Sequence, residues 1–181
     1  MEQHYPLSGL RILEMGSHTT TPYIGKLFVD AGAEVLKVES PHGDPFRKWS
    51  ASKTSIPEGE DAAWWRFLNA GKKSIVIDLE TSEGRQRLAD LITETDLVLD
   101  DHQPKEAERL GITPESLRTI STRVVVASLT HFGTTGPWSD RPANDFILQA
   151  LTGATENRGI PGEEPSACGG DLGDFVAAAL S

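Results

Sequence analysis

The sequence lacks several features that would place it in a well-known structural class. Its 181 residues contain one cysteine, Cys168, which excludes a disulfide scaffold or a zinc cluster built on cysteines. No apolar run approaches the roughly 18 residues that a membrane span needs. The N-terminal residues show no basic segment followed by an apolar one, so no secretory signal is predicted. These absences favour a cytoplasmic protein that has no membrane partner.

Positive charge is also scarce. The chain has 17 Lys and Arg residues against 27 Asp and Glu residues, a formal net charge of −10. Proteins that bind nucleic acid neutralise phosphates with a basic face, and the nearest approach to a basic cluster here is the pair Lys72-Lys73. We therefore expect no nucleic-acid partner. An anionic ligand would have to be held by a few local cations and backbone amides.

The motifs of several common enzyme classes are missing. The sequence contains neither GxGxxG after the first apolar run nor GxxxxGK[ST], and it has no GxSxG nucleophile elbow. Its histidines are scattered without an HxH or HExxH pattern, so no metal site is predicted. Residues 16–22 carry hydroxyls and free amides that suit an anion, but Thr21 with Pro22 after it equally suits a simple helix cap.

The apolar pattern predicts an α/β fold with a Rossmann-like, doubly wound parallel sheet. Near-continuous apolar runs indicate strands buried on both faces, and they lie at residues 10–14, 34–38, 74–78, 97–100 and 123–128. Helical spacing occupies 22–31 and 82–94, with Ser82 as a cap, and a further helix begins at Thr113-Pro114. Residues 41–61 are polar and rich in Pro and Gly, which is typical of a surface loop.

The last residues, 171–181, form an apolar helix that needs a surface to pack on. We interpret the chain as the N-terminal piece of a longer protein. Asp174 lies at the mouth of this helix, in a run that contains three glycines. A carboxylate there can act as a nucleophile towards an activated acyl group. The alternative is that Asp171 and Asp174 only cap the helix, and capping is the default interpretation of Asp145 as well.

Many short segments, in order along the chain, match one enzyme family. They lie at residues 7–13, 22–23, 30–39, 43–47, 69–75, 78–79, 83–84, 96–99, 109–111, 136–137, 145–150 and 173–174. Together they resemble the N-terminal half of the class III CoA-transferases, the CaiB/BaiF family. The resemblance implies that residues 1–181 are the CoA-binding, Rossmann-like domain. It also implies that the small domain and the C-terminal return segment of the family are absent from this chain.

The resemblance further implies an acyl-CoA:carboxylate CoA-transferase that works as an interlocked homodimer. The implied substrates are an acyl-CoA and a carboxylic acid. CoA takes part as a substrate, and no tightly bound cofactor is implied. Asp174 matches the family nucleophile, which forms an aspartyl-acyl anhydride and then an aspartyl-CoA thioester. Such a carboxylate is already ionised at neutral pH and needs no general base. The candidate CoA contacts are Lys37, Lys72, Arg109, His18, Asp101 and His102.

Several positions depart from the family pattern. The departures are Thr20-Thr21 for Ala-Gly, Ser40 for a basic residue, Asp101-His102 for Asn-Phe, and His131 for Gly. Ser40 removes a positive charge and Asp101 adds a negative one, and both changes oppose the binding of the CoA phosphates. A non-catalytic homologue with a role in oligomerisation therefore remains an alternative. A racemase is a second alternative. It is disfavoured because Asn144, which cannot shuttle a proton, stands where racemases of the family have His.

Overall fold

The computed structural model describes residues 5–158, 160–166 and 168–181. The strands are β1 (Arg11–Glu14), β2 (Glu34–Glu39), β3 (Lys73–Val76), β4 (Leu97–Asp100) and β5 (Val125–Ser128). The helices are α1 (Thr20–Asp30), α2 (Ala63–Leu68), α3 (Ser82–Ile92), α4 (Pro104–Leu110), α5 (Pro114–Ile120), α6 (Asp145–Leu151) and α7 (Leu172–Leu180). A short 3₁₀ helix, Pro45–Lys48, follows β2. None of the helices in these described ranges is long and apolar enough to cross a membrane.

The five strands form one parallel sheet in the order β3-β2-β1-β4-β5. Leu13 in β1 aligns with Leu36 in β2 on one side and with Val98 in β4 on the other. The chain therefore winds outwards from β1 in both directions, which confirms the predicted doubly wound α/β fold. The strand order reverses between β1 and β4. In open α/β sheets, ligands bind outside the carboxyl ends of the strands at such a reversal.

Two apolar clusters cover the two faces of this sheet. Neighbouring residues of a strand point to opposite faces, and Leu13 belongs to one cluster while Ile12 belongs to the other. Leu88 in α3 and Leu117 in α5 pack in the first cluster, whereas Ala178 in α7 packs in the second together with residues of α1. The core thus fixes α1 and α7 on the same face of the sheet.

Burial on both faces is confirmed for the central strands and is wrong for the edge strands. Each of β1, β2 and β4 ends in a run of buried residues. Val76 in β3 and Val125 in β5 are 57% and 58% exposed. In this chain β3 and β5 form the two edges of the sheet, and exposed valines occur in both of them.

The structure confirms one predicted helix start and shifts two others. Thr113 caps α5 as predicted, accepting a hydrogen bond from the Ser116 amide at 3.2 Å. The cap of α3 is Thr81 and not Ser82, and α1 begins before Thr21, which lies buried in its first turn. Helix α7 does find a surface within the chain, because it packs on α1 and α6.

Candidate active site

Two cavities open at the carboxyl edge of the sheet, one on each side of the β4 end. The first has a volume of about 510 Å³ and lies between the loops after β1 and β5 and the starts of α6 and α7. The second has a volume of about 710 Å³ and lies between the loops after β1, β2, β3 and β4. Asp174 and His18 line the first cavity, and His102 lines the second. The candidate site residues are thus divided between the two cavities.

Asp174 occupies the first turn of α7, and the backbone that leads into this helix is unusual. Asp171, the N-cap residue, adopts the left-handed conformation with φ 54° and ψ 41°. Its carboxylate makes no capping bond to α7 and instead accepts a hydrogen bond from Thr19 Oγ1 at 3.0 Å. The interpretation of Asp171 as a side-chain cap is therefore wrong. Left-handed non-glycine residues cluster at functional sites, where the surrounding structure holds them.

Gly173 is required here because a carboxylate approaches its backbone closely. A Cβ atom on Gly173 would lie 2.2 Å from Asp145 Oδ1, so any side chain there would have to displace Asp145. The glycine next to the candidate nucleophile thus brings Asp145 and α7 together. This close approach places two carboxyl-bearing residues, Asp145 and Asp174, along the wall of one cavity.

The surroundings of Asp174 disfavour its charge. Burial raises the pKa of the Asp174 carboxyl, and the nearby charges of Asp145 and Asp171 raise it further. The charge of His131 and a hydrogen bond from Thr20 act in the opposite direction, but the net pKa remains above the ordinary value. Converting this carboxylate into a neutral ester-like group would relieve the repulsion. Any step that neutralises Asp174, by protonation or by acylation, is therefore favoured by its surroundings.

Asp145 is buried and is not the cap of α6. The N-cap is Asn144, whose Oδ1 accepts a hydrogen bond from the Ile147 amide at 3.0 Å. Asp145 Oδ2 accepts from Gln149 Nε2, while Asp145 Oδ1 is buried and unpartnered. Gln149 also bonds both the amide and the carbonyl of Cys168, which holds the segment that leads into α7. Sequence reasoning missed Gln149, although its i, i+4 spacing from Asp145 was an available signal.

Asp101 orders the loop after β1. Its two carboxylate oxygens accept hydrogen bonds from the amides of Ser17 and His18, at 3.2 and 3.0 Å. The His18 ring is also close, with Nδ1 3.3 Å from Asp101 Oδ1. This side-chain hydrogen bond raises the pKa of His18. Burial alone would raise the pKa of Asp101, but its bonds to His18 and Ser17 lower it on balance. Asp101 thus supports the loop, and its contact with CoA stays a prediction.

His102 belongs to the second cavity and pairs with Asp100 through its Nδ1 atom. Burial opposes the charged imidazole, but the hydrogen bond and the charge of Asp100 raise the pKa of His102 on balance. A cationic imidazole beside this cavity is compatible with the predicted contact to CoA.

Lys37 and Lys72, two of the predicted CoA contacts, lie in a buried polar cluster. Both side chains are 1% exposed, and each ammonium group is surrounded by three acceptors within 3.0 Å. The acceptors are Glu14, Gly16 and Asp44 for Lys37, and Glu14, Pro22 and Asn69 for Lys72. These acceptors compete with any ligand for the N–H donors of the two ammonium groups. Contacts of Lys37 and Lys72 with CoA stay predictions, and they require CoA to displace these partners.

Arg109 lies exposed on α4, on the side of the second cavity. Its guanidinium contacts Glu80 at 2.6 Å and Glu106 at 2.6 Å, and both acids line that cavity. A contact between Arg109 and a phosphate stays a prediction, and it requires the phosphate to compete with these two carboxylates. No group of three or more His, Cys, Asp or Glu side chains in the described ranges is arranged to hold a metal ion.

The fold and the site define a class: a doubly wound α/β domain with a carboxylate at a helix start, facing a cavity beside the strand-order reversal. The sequence profile of CoA-transferase family III matches residues 7–181. The chain belongs to this family, as the resemblance predicted. It is 34% identical over 179 residues to succinate–glutarate CoA-transferase of Agrobacterium fabrum, covering 97% of this chain and 45% of that protein.

Further relatives give the same result. The chain is 36% identical over 177 residues to succinyl-CoA–D-citramalate CoA-transferase of Chloroflexus aurantiacus, covering 97% of this chain and 43% of that protein. A CAIB/BAIF family protein from Brucella suis has a similar structure, with a TM-score of 0.91 and 34% identity. That match covers 99% of this chain and 47% of the other. The chain thus spans less than half the length of each of these relatives.

Proposed function

We propose that the protein is an acyl-CoA:carboxylate CoA-transferase that uses Asp174 as its nucleophile. The observation that carries the proposal is the position of Asp174 at the start of α7, on the wall of the first cavity and next to Gly173. The relatives described above are named for the transfer of CoA between carboxylic acids, which supports the same reaction type here.

The reaction proceeds by exchange at Asp174. A carboxylate oxygen of Asp174 attacks the thioester carbonyl of the donor, the C–S bond breaks, and CoA leaves as a thiolate, which leaves a mixed anhydride. The thiolate attacks the Asp174 carbonyl, forming an aspartyl-CoA thioester and releasing the donor acid as a carboxylate. The acceptor carboxylate then repeats these two steps in reverse order. No proton is gained or lost, so the cycle needs no general base.

The electrostatics of the site support this covalent route. In the free enzyme, three carboxyl-bearing residues, Asp145, Asp171 and Asp174, lie close together. Acylation of Asp174 removes one negative charge from this group and relieves the repulsion that raises its pKa. Racemisation would instead need a second acid or base. The Asn144 side chain cannot exchange a proton and is engaged in capping α6, which favours transfer over racemisation.

CoA itself is proposed to bind along the second cavity, with its thiol end reaching the first. The turn after β2, Ser40 to Asp44, and the loop after β1 line this cavity, and His102, whose pKa is raised, offers a cation there. Acids on the same wall, Glu80 and Glu106 among them, weaken the attraction for phosphates. We further propose that residues 1–181 act as the CoA-binding domain of a longer protein, since the relatives are more than twice as long. For that protein we propose a cytoplasmic location and the interlocked homodimer that the family resemblance implies.

The test is intact-mass measurement of the whole protein that carries this chain. The protein is incubated with a panel of acyl-CoAs and then treated with hydroxylamine, which traps an activated aspartyl group. We expect a modification on Asp174 that is absent from Asp174→Asn. Asp90→Asn, which changes an exposed carboxylate on α3, is the matched control and should be modified like the unchanged protein.

Two results would contradict the proposal. A modification that persists in Asp174→Asn would place the nucleophile elsewhere. No modification with any donor, together with no thermal stabilisation by CoA, would favour the non-catalytic homologue. A ligand at 100 times its Kd adds about 2.7 kcal/mol to stability, so binding would be readily detected.

A further inference from the structure

The first cavity carries polar groups that the CoA-transferase steps at Asp174 do not use. Thr130 Oγ1 and His131 Nδ1 are buried and have no hydrogen-bond partner, and both residues line this cavity. The large majority of buried polar groups in native proteins have a hydrogen-bond partner. Two unpartnered groups from consecutive residues after β5 indicate that a polar ligand completes their bonding.

His18 adds positive charge to the same part of the cavity. Its ring centroid is 6.5 Å from that of His131, so both rings can reach one small anion. Charged groups act on His18 from each neighbouring segment: Asp101 after β4, Asp174 in α7 and Asp44 after β2. The hydrogen bond that the ring donates to Asp101 fixes the ring and raises the pKa of His18, which extends the pH range over which the imidazolium form persists.

The cavity needs such a cation for a simple electrostatic reason. An acceptor acid arrives as an anion at a site that already holds Asp145 and Asp171, close to Asp174. When Asp174 is a thioester, one of these charges is removed, but two remain. A cation opposite them makes the approach of the acceptor favourable.

We propose that His18, together with Thr130 and His131, binds the carboxylate of the acceptor acid beside Asp174. This proposal rests on the CoA-transfer function proposed above and assigns the place of its second substrate. The imidazolium of His18 donates a charge-assisted hydrogen bond, and the Thr130 hydroxyl and the Nδ1–H of His131 donate to the same carboxylate. Asp101 is a positioning residue, because it acts through His18.

The test separates the acceptor from the donor in steady-state assays of the whole protein. In His18→Gln, the acceptor KM at saturating acyl-CoA should rise about tenfold or more, as expected for the loss of a charged hydrogen bond. The donor KM and the formation of the Asp174 adduct should change much less. His18→Lys, which restores a cation, should recover most of the acceptor affinity.

The pH profile gives a second readout that a merely structural role would not produce. In the unchanged protein, kcat/KM for the acceptor should fall as the pH rises through the raised pKa of His18 and the imidazolium is lost. In His18→Lys this fall should move to higher pH, and in His18→Gln it should disappear. Thr130→Val, which keeps the His18 side chain, should also raise the acceptor KM.

The outcomes distinguish this inference from the proposed function. If the unchanged protein forms no adduct on Asp174, both proposals fail. If the adduct forms normally but the acceptor KM is the same in His18→Gln and Thr130→Val, only the acceptor site is refuted. Equal rises in the donor and acceptor KM values would also refute it, because His18 would then support the cavity as a whole.

Discussion

Glu14→Gln is expected to destabilise the protein strongly, because Glu14 is the centre of a buried ion cluster. Its side chain is fully buried, with one carboxylate oxygen 3.0 Å from Lys37 Nζ and the other 2.7 Å from Lys72 Nζ. Asp44 lies 2.9 Å from the same Lys37 ammonium, so two carboxylates balance two ammonium groups. The substitution keeps the shape of the side chain and removes one of the two negative charges.

The magnitude follows from what is left behind. Lys37 would keep Asp44 as its charge partner, whereas Lys72 would keep only neutral acceptors. Removing one partner from a buried ion pair typically costs about 3–5 kcal/mol. The surroundings leave little room for relaxation, because a Cβ on Gly25 would lie only 2.0 Å from Glu14 Oε2. Total stabilities are about 5–15 kcal/mol, so this loss is a large fraction.

The assay is urea unfolding followed by tryptophan fluorescence, and the chain offers a matched control. Glu94 pairs with Arg11 at 3.2 Å, but the two side chains are 74% and 55% exposed. Glu94→Gln should therefore cost no more than about 1 kcal/mol. Equal losses in Glu14→Gln and Glu94→Gln would refute the reasoning, since burial would then make no difference.

Three further predictions concern the site and the loop after β2. Gly173→Ala should lower formation of the proposed Asp174 adduct at least about tenfold in intact-mass assays. The added Cβ would displace Asp145 and thereby shift the position of Asp174. Asp174→Asn should raise the Tm at neutral pH, because a carboxyl group with a raised pKa destabilises the fold when it is ionised. This gain in Tm should vanish at acidic pH, and an unchanged Tm at neutral pH would contradict the prediction. Arg47→Lys should cost about 1–2 kcal/mol in urea unfolding, because Lys cannot keep both bonds to Glu39.

The sequence predicts the centre of the fold better than its edges. The segment 97–100 coincides with β4, because a short apolar run with both faces covered has few alternative structures. The most hydrophobic run, 123–128, becomes an edge strand with Val125 exposed. Its composition does not record which strand lies beside it. The choice between Thr81 and Ser82 as a cap likewise depends on backbone geometry, since both residue types cap well.

The candidate site shows the same division between local and non-local information. The resemblance to the family predicts Asp174, because the Gly-Asp pair is local. It does not reveal that Lys37 and Lys72 are buried against Glu14, which lies 23 and 58 residues away along the chain. The sequence around a lysine in or next to a strand does not show whether its side chain faces a ligand or a buried acid. The close approach of Asp145 to Gly173 cannot be predicted from the sequence either, because the two residues are distant along the chain.

The departures from the family pattern fit together in the structure. Thr20 donates a hydrogen bond to Asp174, and the charge of His131 also favours the ionised form of that carboxylate. Asp101 pairs with His18, which lines the same cavity. Drift in a non-catalytic homologue would scatter such changes without regard to Asp174. Three of them instead act on Asp174 or on His18 beside it, which supports the proposed nucleophile and acceptor site over a degenerate homologue.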